Sequence, residues 1–493
     1  MRTDQPACPN RRTMLTALAG ALGATTSQAA AARPVNVVFF LTDDHGAWAT
    51  GAYGCREFYT PNIDRLAAEG ALFSRAYACT PVCSPSRATY ITGKMPSGHG
   101  VHDAMVADDC WGPKKRRLLD SHITYSELLA KAGYTLGMCG KWHMGDDGNA
   151  QAGFSYWCTK AEKGSTYKNS TLVKNGAAVQ IDGFLTDACT DAGLEFIEAN
   201  KQRPFFLYMP FHAPHQPFNY QPERDRKWYA DSTFPCFPEA GKNPQRRRNF
   251  ENLHGNREAK TSYAALVSGV DFSVGRIVRR LEELGLRENT LIVFAADQGW
   301  NAGHHGVWGK GNATIPFNMY EESIKIPLIW NHPGKIQKGT TIPAMVSNYD
   351  FFPAILEYLG VPAPPPDAAR LGRSYAPFLR GEKPEWRTEL YFEYCYTRAV
   401  RTENLKYIER AENWPAEFYD LELNPAEDIN MIGVRANHKR LNALRTRLRS
   451  AFEASGAPPI EKWHDSVRNV LTIDIGYYDK WLELPLKKAG TKE

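Results

Sequence analysis

Residues Val35–Leu41 form a run dominated by β-branched and aromatic side chains, without the polar alternation of a half-exposed strand. Such a strand is buried on both faces, the habit of parallel sheets covered by helices. Comparable runs recur at Tyr134–Cys139, Phe205–Met209, Thr290–Ala296 and Ile326–Trp330. Helix signals fall between them. Thr60 reads as an N-cap, with Pro61 in the first turn and Gly70 past the end. Thr124-Tyr125-Ser126-Glu127 is a capping box opening a helix that stops at Gly133. Tyr263–Leu284 and Asp350–Leu359 have helical patterning. The alternation predicts an α/β fold with a large, mostly parallel sheet sandwiched by helices.

Four of these strands run into polar clusters: Thr42-Asp43-Asp44-His45-Gly46, Gly140-Lys141-Trp142-His143, His212-Ala213-Pro214-His215 and Asp297-Gln298-Gly299. Ligands of open α/β sheets bind at the carboxyl ends of the strands. Segments far apart in sequence are therefore expected to meet at one site. Asp43, Asp44, Asp297 and Gln298 offer only oxygen donors, which suit Ca²⁺ or Mg²⁺ better than Zn²⁺. No C-x-x-C pair exists, which disfavours a thiolate zinc site.

Net charge is only +5, and the Lys and Arg residues are spread out, which argues against a nucleic-acid binder. No apolar run after residue 32 approaches the ~20 residues of a membrane span. Residues 1–32 read as an export signal: a twin-arginine pattern around Arg11-Arg12, an apolar Leu15–Thr25 and a small-residue run Ala29–Ala32, with cleavage expected after Ala30 or Ala32. A periplasmic or secreted location follows as an expectation. The even count of ten cysteines permits disulfides without defining their pairing.

The stretch Cys83-Ser84-Pro85-Ser86-Arg87, followed by Thr92-Gly93-Lys94, resembles the signature of type I sulfatases. Gly140-Lys141-Trp142-His143, Ala213-Pro214-His215-Gln216-Pro217 and His305-Gly306-Val307-Trp308-Gly309-Lys310 resemble further motifs of that family, and landmarks continue to about residue 435. The resemblance implies an alkaline phosphatase-like fold and a sulfuric ester hydrolase. It implies that Cys83 is converted to Cα-formylglycine by a separate formylglycine-generating enzyme, which on twin-arginine export would act before or during folding. It implies a calcium ion held by Asp43, Asp44, Asp297, Gln298 and the residue made from Cys83. Gln298 stands where Asn is common; it keeps the carbonyl donor and moves it by one methylene. By the same carry-over, Arg87 positions the formylglycine, and Lys141 and Lys310 bind sulfate oxygens. His143 would take the proton from the aldehyde diol, and His215 would protonate the leaving alcohol.

Exported relatives of this layout are often carbohydrate sulfatases. Trp300, His304 and His305 cluster near Lys310, and Arg398, Arg401 and the basic segment Trp111–Arg117 could attract an anionic polysaccharide. These are the candidate substrate contacts, with core packing and a solvated loop as the plain alternatives. The proline-rich residues 361–367 suggest a boundary. A catalytic domain is expected over 33–365. A smaller unit over 366–493 would hold an antiparallel sheet (Glu389–Tyr394, Ala399–Thr402, Leu405–Ile408), a helix near Ala436–Ser455 and a tail wrapping the body. Two other readings remain open here: a phosphonate or phosphodiester hydrolase of the same superfamily, and a non-catalytic glycan-binding homologue.

Overall fold

The computed structural model describes residues 33–461, apart from 114, 162–165, 240, 247–251 and 412–413. Residues 1–32, where the sequence predicts an export signal, and the tail beyond 461 lie outside the described residues. The strands in chain order are β1 (Asn36–Asp43), β2 (Ala71–Tyr77), β3 (Thr135–Gly140), β4 (Tyr156–Lys160), β5 (Thr171–Lys174), β6 (Ala177–Gln180), β7 (Phe205–Pro214), β8 (Thr290–Ala296), β9 (Asn301–Ala302), β10 (Trp308–Gly309), β11 (Lys325–Ile326), β12 (Leu328–Asn331) and β13 (Thr340–Ser347). Eleven of these build one sheet, β9 and β10 forming a separate ribbon. At its centre β1 lies between β7 and β8, parallel to both, and β7 continues in parallel to β3 and β4. On the other side β12 runs antiparallel between β8 and β2. The fold is the α/β class read from the sequence, with a large, mostly parallel sheet.

All eight residues of β1 are buried, and they divide between two cores. Val37, Phe39 and Leu41 pack with helices Cys83–Thr92, Tyr125–Lys131 and Phe351–Tyr358. Val38 and Phe40 pack with helices Pro61–Ala68, Leu185–Asn200 and Arg257–Glu283 on the opposite face. Each fully buried Phe or Val contributes roughly 1.5–3 kcal/mol, so both helical layers are held by the same strand.

Several boundaries moved for identifiable reasons. The run Ile326–Trp330 is cut at Pro327, which cannot donate to the ladder, so β11 and β12 are separate. The long helix starts at Arg257, because Asn256 caps it through Ala259 N. Thr124 forms the expected capping box with Glu127. Thr60 makes no side-chain cap; its hydroxyl accepts from Gly51 N and donates to Asp64. The cap comes from across the core. Asp271 accepts from Asn62 N (2.9 Å) and Ile63 N (2.8 Å), and its other oxygen accepts from Asn62 Nδ2.

A second, four-stranded antiparallel sheet follows: β14 (Glu389–Tyr394), β15 (Thr397–Thr402), β16 (Leu405–Arg410) and β17 (Glu417–Asp420), covered by helix His438–Ala454. It shares a core with Cys79, Val82 and Cys83. Buried ion pairs reinforce the junction, Lys406 meeting Glu427 (2.6 Å) and Glu321 (2.8 Å). Among the described residues no helix is long and apolar enough to cross a membrane.

Burial pushes the Asp271 carboxyl up to about 7, against the pull of its N–H donors. The folded state then binds a proton that the unfolded chain has lost between about pH 4 and 7. This group's contribution to stability therefore falls as pH rises through that window. Asp271→Asn should remove the effect. The Tm of wild type relative to Asp271→Asn is expected to drop between pH 5 and pH 8, by the equivalent of roughly 1–3 kcal/mol. Parallel Tm curves would contradict it.

Candidate active site

The polar clusters of β1, β3, β7 and β8 meet at one end of the sheet, beside the first turn of helix Cys83–Thr92. Asp43 ends β1, and Asp44 turns away with φ 63°, its carbonyl accepting from Tyr263 Oη at 2.9 Å. The chain after β3 passes so close to β7 that a Cβ on Gly140 (φ 144°) would lie 2.0 Å from Pro210 O. Only glycine fits there, and Lys141 follows directly.

Arg87 is one turn beyond Cys83 and fully buried. Its Nε donates to Asp297 Oδ2 (2.8 Å), its Nη1 to Lys141 O (2.5 Å), and its Nη2 lies 3.5 Å from Asp43 Oδ2. Lys141 Nζ donates to the same Asp43 oxygen. Lys310 Nζ reaches Asp44 Oδ1 (2.7 Å) and Cys83 Sγ (3.3 Å). Burial alone would raise the Asp43 carboxyl, but Lys141, His215, Lys310 and Arg87 outweigh it and hold it well below the usual carboxylate range. Burial would likewise lower Lys310, and Asp44, Cys83 and Asp43 reverse that, keeping the ammonium charged.

Cys83 is 2% exposed and opens its helix with no side-chain cap on the first turn. Free N–H groups there favour negative charge at residue 83. The helix is anchored by Ser86, whose hydroxyl donates to Asp297 O, and by Asn348, whose amide donates to Ser86 Oγ (2.9 Å) and accepts from Cys79 N (2.9 Å).

The donor set suits a hard cation. Gln298 donates to Asp44 Oδ1 (2.6 Å) and Asp43 Oδ1 (3.2 Å), leaving its own Oε1 buried without a partner. Asp44 Oδ2 is likewise buried and unpartnered. Rotating the Gln298 amide would turn its carbonyl toward the carboxylates. Asp43, Asp44 and His215 present ligand atoms within 4.8 Å of one another. The residues present fit Ca²⁺, with Asp43, Asp44, Asp297 and Gln298 as its oxygen donors.

The two histidines differ in their tautomers. Met105 O accepts from His143 Nε2 (3.0 Å), so the proton sits there and the lone pair is on Nδ1, which is buried and unpartnered. Burial, then Lys141, pushes His143 down to about 3, so it stays neutral. His215 donates from Nδ1 to Gln216 O and turns Nε2 toward Asp44 Oδ2, 3.6 Å away. Burial lowers it to about 4 against the pull of Asp44 and Asp43. The segment after Lys141 is not extended: His143 has φ 60°. Both side chains nonetheless line one cavity of about 230 Å³, together with His215. That volume is below the roughly 300–1,000 Å³ of drug-sized sites, and suits a small polar group.

The sequence names His212 only as part of the β7 polar cluster, with no role, and gives no sign of Asp147 or Met105. All three line the cavity, and Asp147 Oδ2 accepts from His143 N (3.0 Å). His212 sits three residues before His215 on the β7 end, which was the available signal. The proposed substrate contacts are not brought to this cavity. Trp300 is 1% exposed, packed in an aromatic core with Tyr263. His304 lies against Trp48, and His305 pairs with Glu322 (2.7 Å) under a stacked Tyr320. Arg398 is buried on Glu393 and over Phe452, and Arg401 pairs with Glu321. Large aromatics near a site are core far more readily than platform. Of the basic segment, Trp111 does line the cavity, while Lys115 and Arg116 pair with Asp146 and Asp109.

The Sulfatase family model matches residues 35–361. The chain belongs to the sulfatase family. It is accordingly a sulfuric ester hydrolase. A second model, N-sulphoglucosamine sulphohydrolase, C-terminal, matches residues 303–454. The chain is 28% identical to an N-acetylglucosamine-6-O-sulfatase of Bacteroides thetaiotaomicron, over 81% of this chain and 82% of the relative. It is 30% identical to the Homo sapiens N-acetylglucosamine-6-sulfatase, over 77% and 71%. A solved structure described as a complex with its substrate D-glucosamine-2-N,6-O-disulfate superposes with TM-score 0.74 at 25% identity, covering 87% of this sulfatase and all of that chain.

Asn348→Ala would leave Cys79 N without its acceptor and remove the amide donor to Ser86 Oγ. The expected result is a stability loss of about 1–3 kcal/mol by denaturant titration, with a lower kcat and little change in KM. An unchanged kcat would remove Asn348 from positioning the Cys83 helix.

Proposed function

We propose that this sulfatase removes a sulfate ester from sulfated carbohydrate, using a formylglycine made from Cys83 and a calcium ion held by Asp43, Asp44, Asp297 and Gln298. The observation that carries this is Cys83 at a buried helix N-terminus, with Lys310 on its sulfur and Arg87, Lys141 and the carboxylates around it. A formylglycine here supplies an aldehyde hydrate as the nucleophile toward sulfur, and calcium supplies positive charge beside it. The names of the relatives support the 6-O-sulfate of an N-acetylhexosamine as the substrate. The twin-arginine pattern supports export to the periplasm or beyond, after the formylglycine-generating enzyme has acted.

The chain's own groups account for the rest. Lys141 and Lys310 bind sulfate oxygens, their ammonium groups facing the Cys83 end of the site. Arg87 pairs with both Asp43 and Asp297 and holds them in place. His143, neutral with its lone pair on Nδ1, receives a proton at that atom. With Nδ1–H fixed on Gln216 O, His215 would first take up a second proton at Nε2, the imidazolium favoured by Asp44 and by the bound anionic ester, and would then pass that proton to the departing sugar oxygen. His143, His212, His215 and Trp111 wall the cavity beside which these transfers would take place.

Defined sulfated mono- and oligosaccharides test the substrate. Release of sulfate from 6-O-sulfated N-acetylglucosamine is expected; a strong preference for phosphate or phosphonate esters of the same leaving group would overturn the reading. Cys83→Ala should abolish turnover with an unchanged thermal unfolding curve. His215→Ala should slow sugar sulfates by about 10²–10⁴ and aryl sulfates with good leaving groups far less. Equal losses on both would remove His215 from the role of acid.

A further inference from the structure

On the flank of the site, the fold joins two cysteines that are 181 residues apart in sequence, a pairing no C-x-x-C spacing announces. None of the nine cysteines among the described residues forms a disulfide. Most are deeply buried, but Cys55 and Cys236 are half-buried, and Glu57 stands between them. The sulfur atoms and a Glu57 carboxylate oxygen lie within 4.8 Å of one another. Cys55 Sγ donates to Glu57 Oε2 at 3.1 Å. A tetrahedral zinc site with Zn–S of about 2.3 Å has edges of ~3.8 Å, so only a small inward movement closes the trio.

The loops are brought together by packing that needs no ion. Phe58 stacks on Phe237 at 5.8 Å, and Phe237 in turn stacks on Trp308 at 6.1 Å. Cys236 directly precedes one of these anchors, Phe237, and Glu57 directly precedes the other, Phe58. We propose that Cys55, Glu57 and Cys236 form a second metal site, separate from the calcium ligands, that takes a borderline divalent ion of the zinc class. Two sulfurs select that class over Ca²⁺, and three protein ligands leave a fourth position for water.

Glu57 is what separates this reading from a disulfide. Disulfide formation needs one sulfur as thiolate, and a carboxylate beside the pair opposes that. The hydrogen bond of the Cys236 thiol to Cys55, then burial and Glu57, hold that thiol well above its usual range. A divalent cation reverses the balance: both thiols release their protons to water, and the carboxylate becomes a third ligand. The site would staple the loop before helix Pro61–Ala68 to the segment whose Pro238 O closes on Gly303. That places a zinc-class ion behind the turn leading to Lys310.

The test uses the full chain in a Cys83→Ala background, so that the signature thiol cannot contribute, reduced and stripped of metal without oxygen. Titration with Co²⁺ should give a thiolate-to-cobalt charge-transfer band saturating at one equivalent and displaced by Zn²⁺. Cys55→Ser and Cys236→Ser should each lose the band. Glu57→Gln should keep it but weaken Zn²⁺ binding by at least the roughly tenfold that even an outer-shell partner is worth. In the Cys83 enzyme, Cys55→Ser should leave sulfatase turnover near wild type and remove the Tm rise caused by Zn²⁺. Absence of the band, a band unchanged in both cysteine variants, or recovery of a Cys55–Cys236 disulfide from protein held with excess Zn²⁺ would overturn the proposal.

Discussion

Everything at the active site depends on the buried guanidinium of Arg87. Three carboxylates crowd the ends of β1 and β8, in a place where water cannot screen them. Arg87 meets Asp297 and Asp43 and also holds the backbone of Lys141, so one side chain ties the Cys83 helix to three strand ends. Taking such charges out of water costs several kcal/mol each, and only close pairing offsets it. Lys141 and Lys310 complete the balance, Lys141 on Asp43 at the end of β1 and Lys310 on Asp44 just beyond it. The charges are mutually dependent: the anions keep the lysines protonated for an anionic substrate, and the cations keep Asp43 ionised for a metal.

The same arrangement explains the contrast between the two histidines. Both are kept neutral by burial among cations, yet the backbone assigns them opposite faces. Met105 O claims the proton of His143 at Nε2, and Gln216 O claims that of His215 at Nδ1. Which nitrogen is free is therefore set by loops outside the motifs themselves.

Much of this was legible in the sequence because it obeys local rules. The unbroken apolar run of β1 announced a doubly covered strand, and the polar residues after four strands announced where a site would form. What was not legible depended on contacts across the fold. Asp271 caps a helix two hundred residues away, a role Thr60 seemed to fill. Asn348, Met105 and Asp147 support the site through backbone atoms or single hydrogen bonds that leave no motif. Trp300 and His305 looked like a sugar platform by composition, but the long helix Arg257–Glu283 and Tyr320 cover them. Cys55 and Cys236 had no meaningful spacing until two loops were laid side by side.

The division of β1 between two cores has a consequence for how errors in this enzyme would look. Phe39 and Phe40 face opposite layers, so shifting the strand by one residue would exchange the two cores and carry Asp43 and Asp44 about 3.3 Å along the sheet. No intermediate setting satisfies either layer. The aspartates thus inherit an indexed position, in the way a gear tooth does, from side chains that never touch the substrate. A population of such molecules would divide into those fully competent and those inert, with no graded class of misaligned but slowly working enzyme between them.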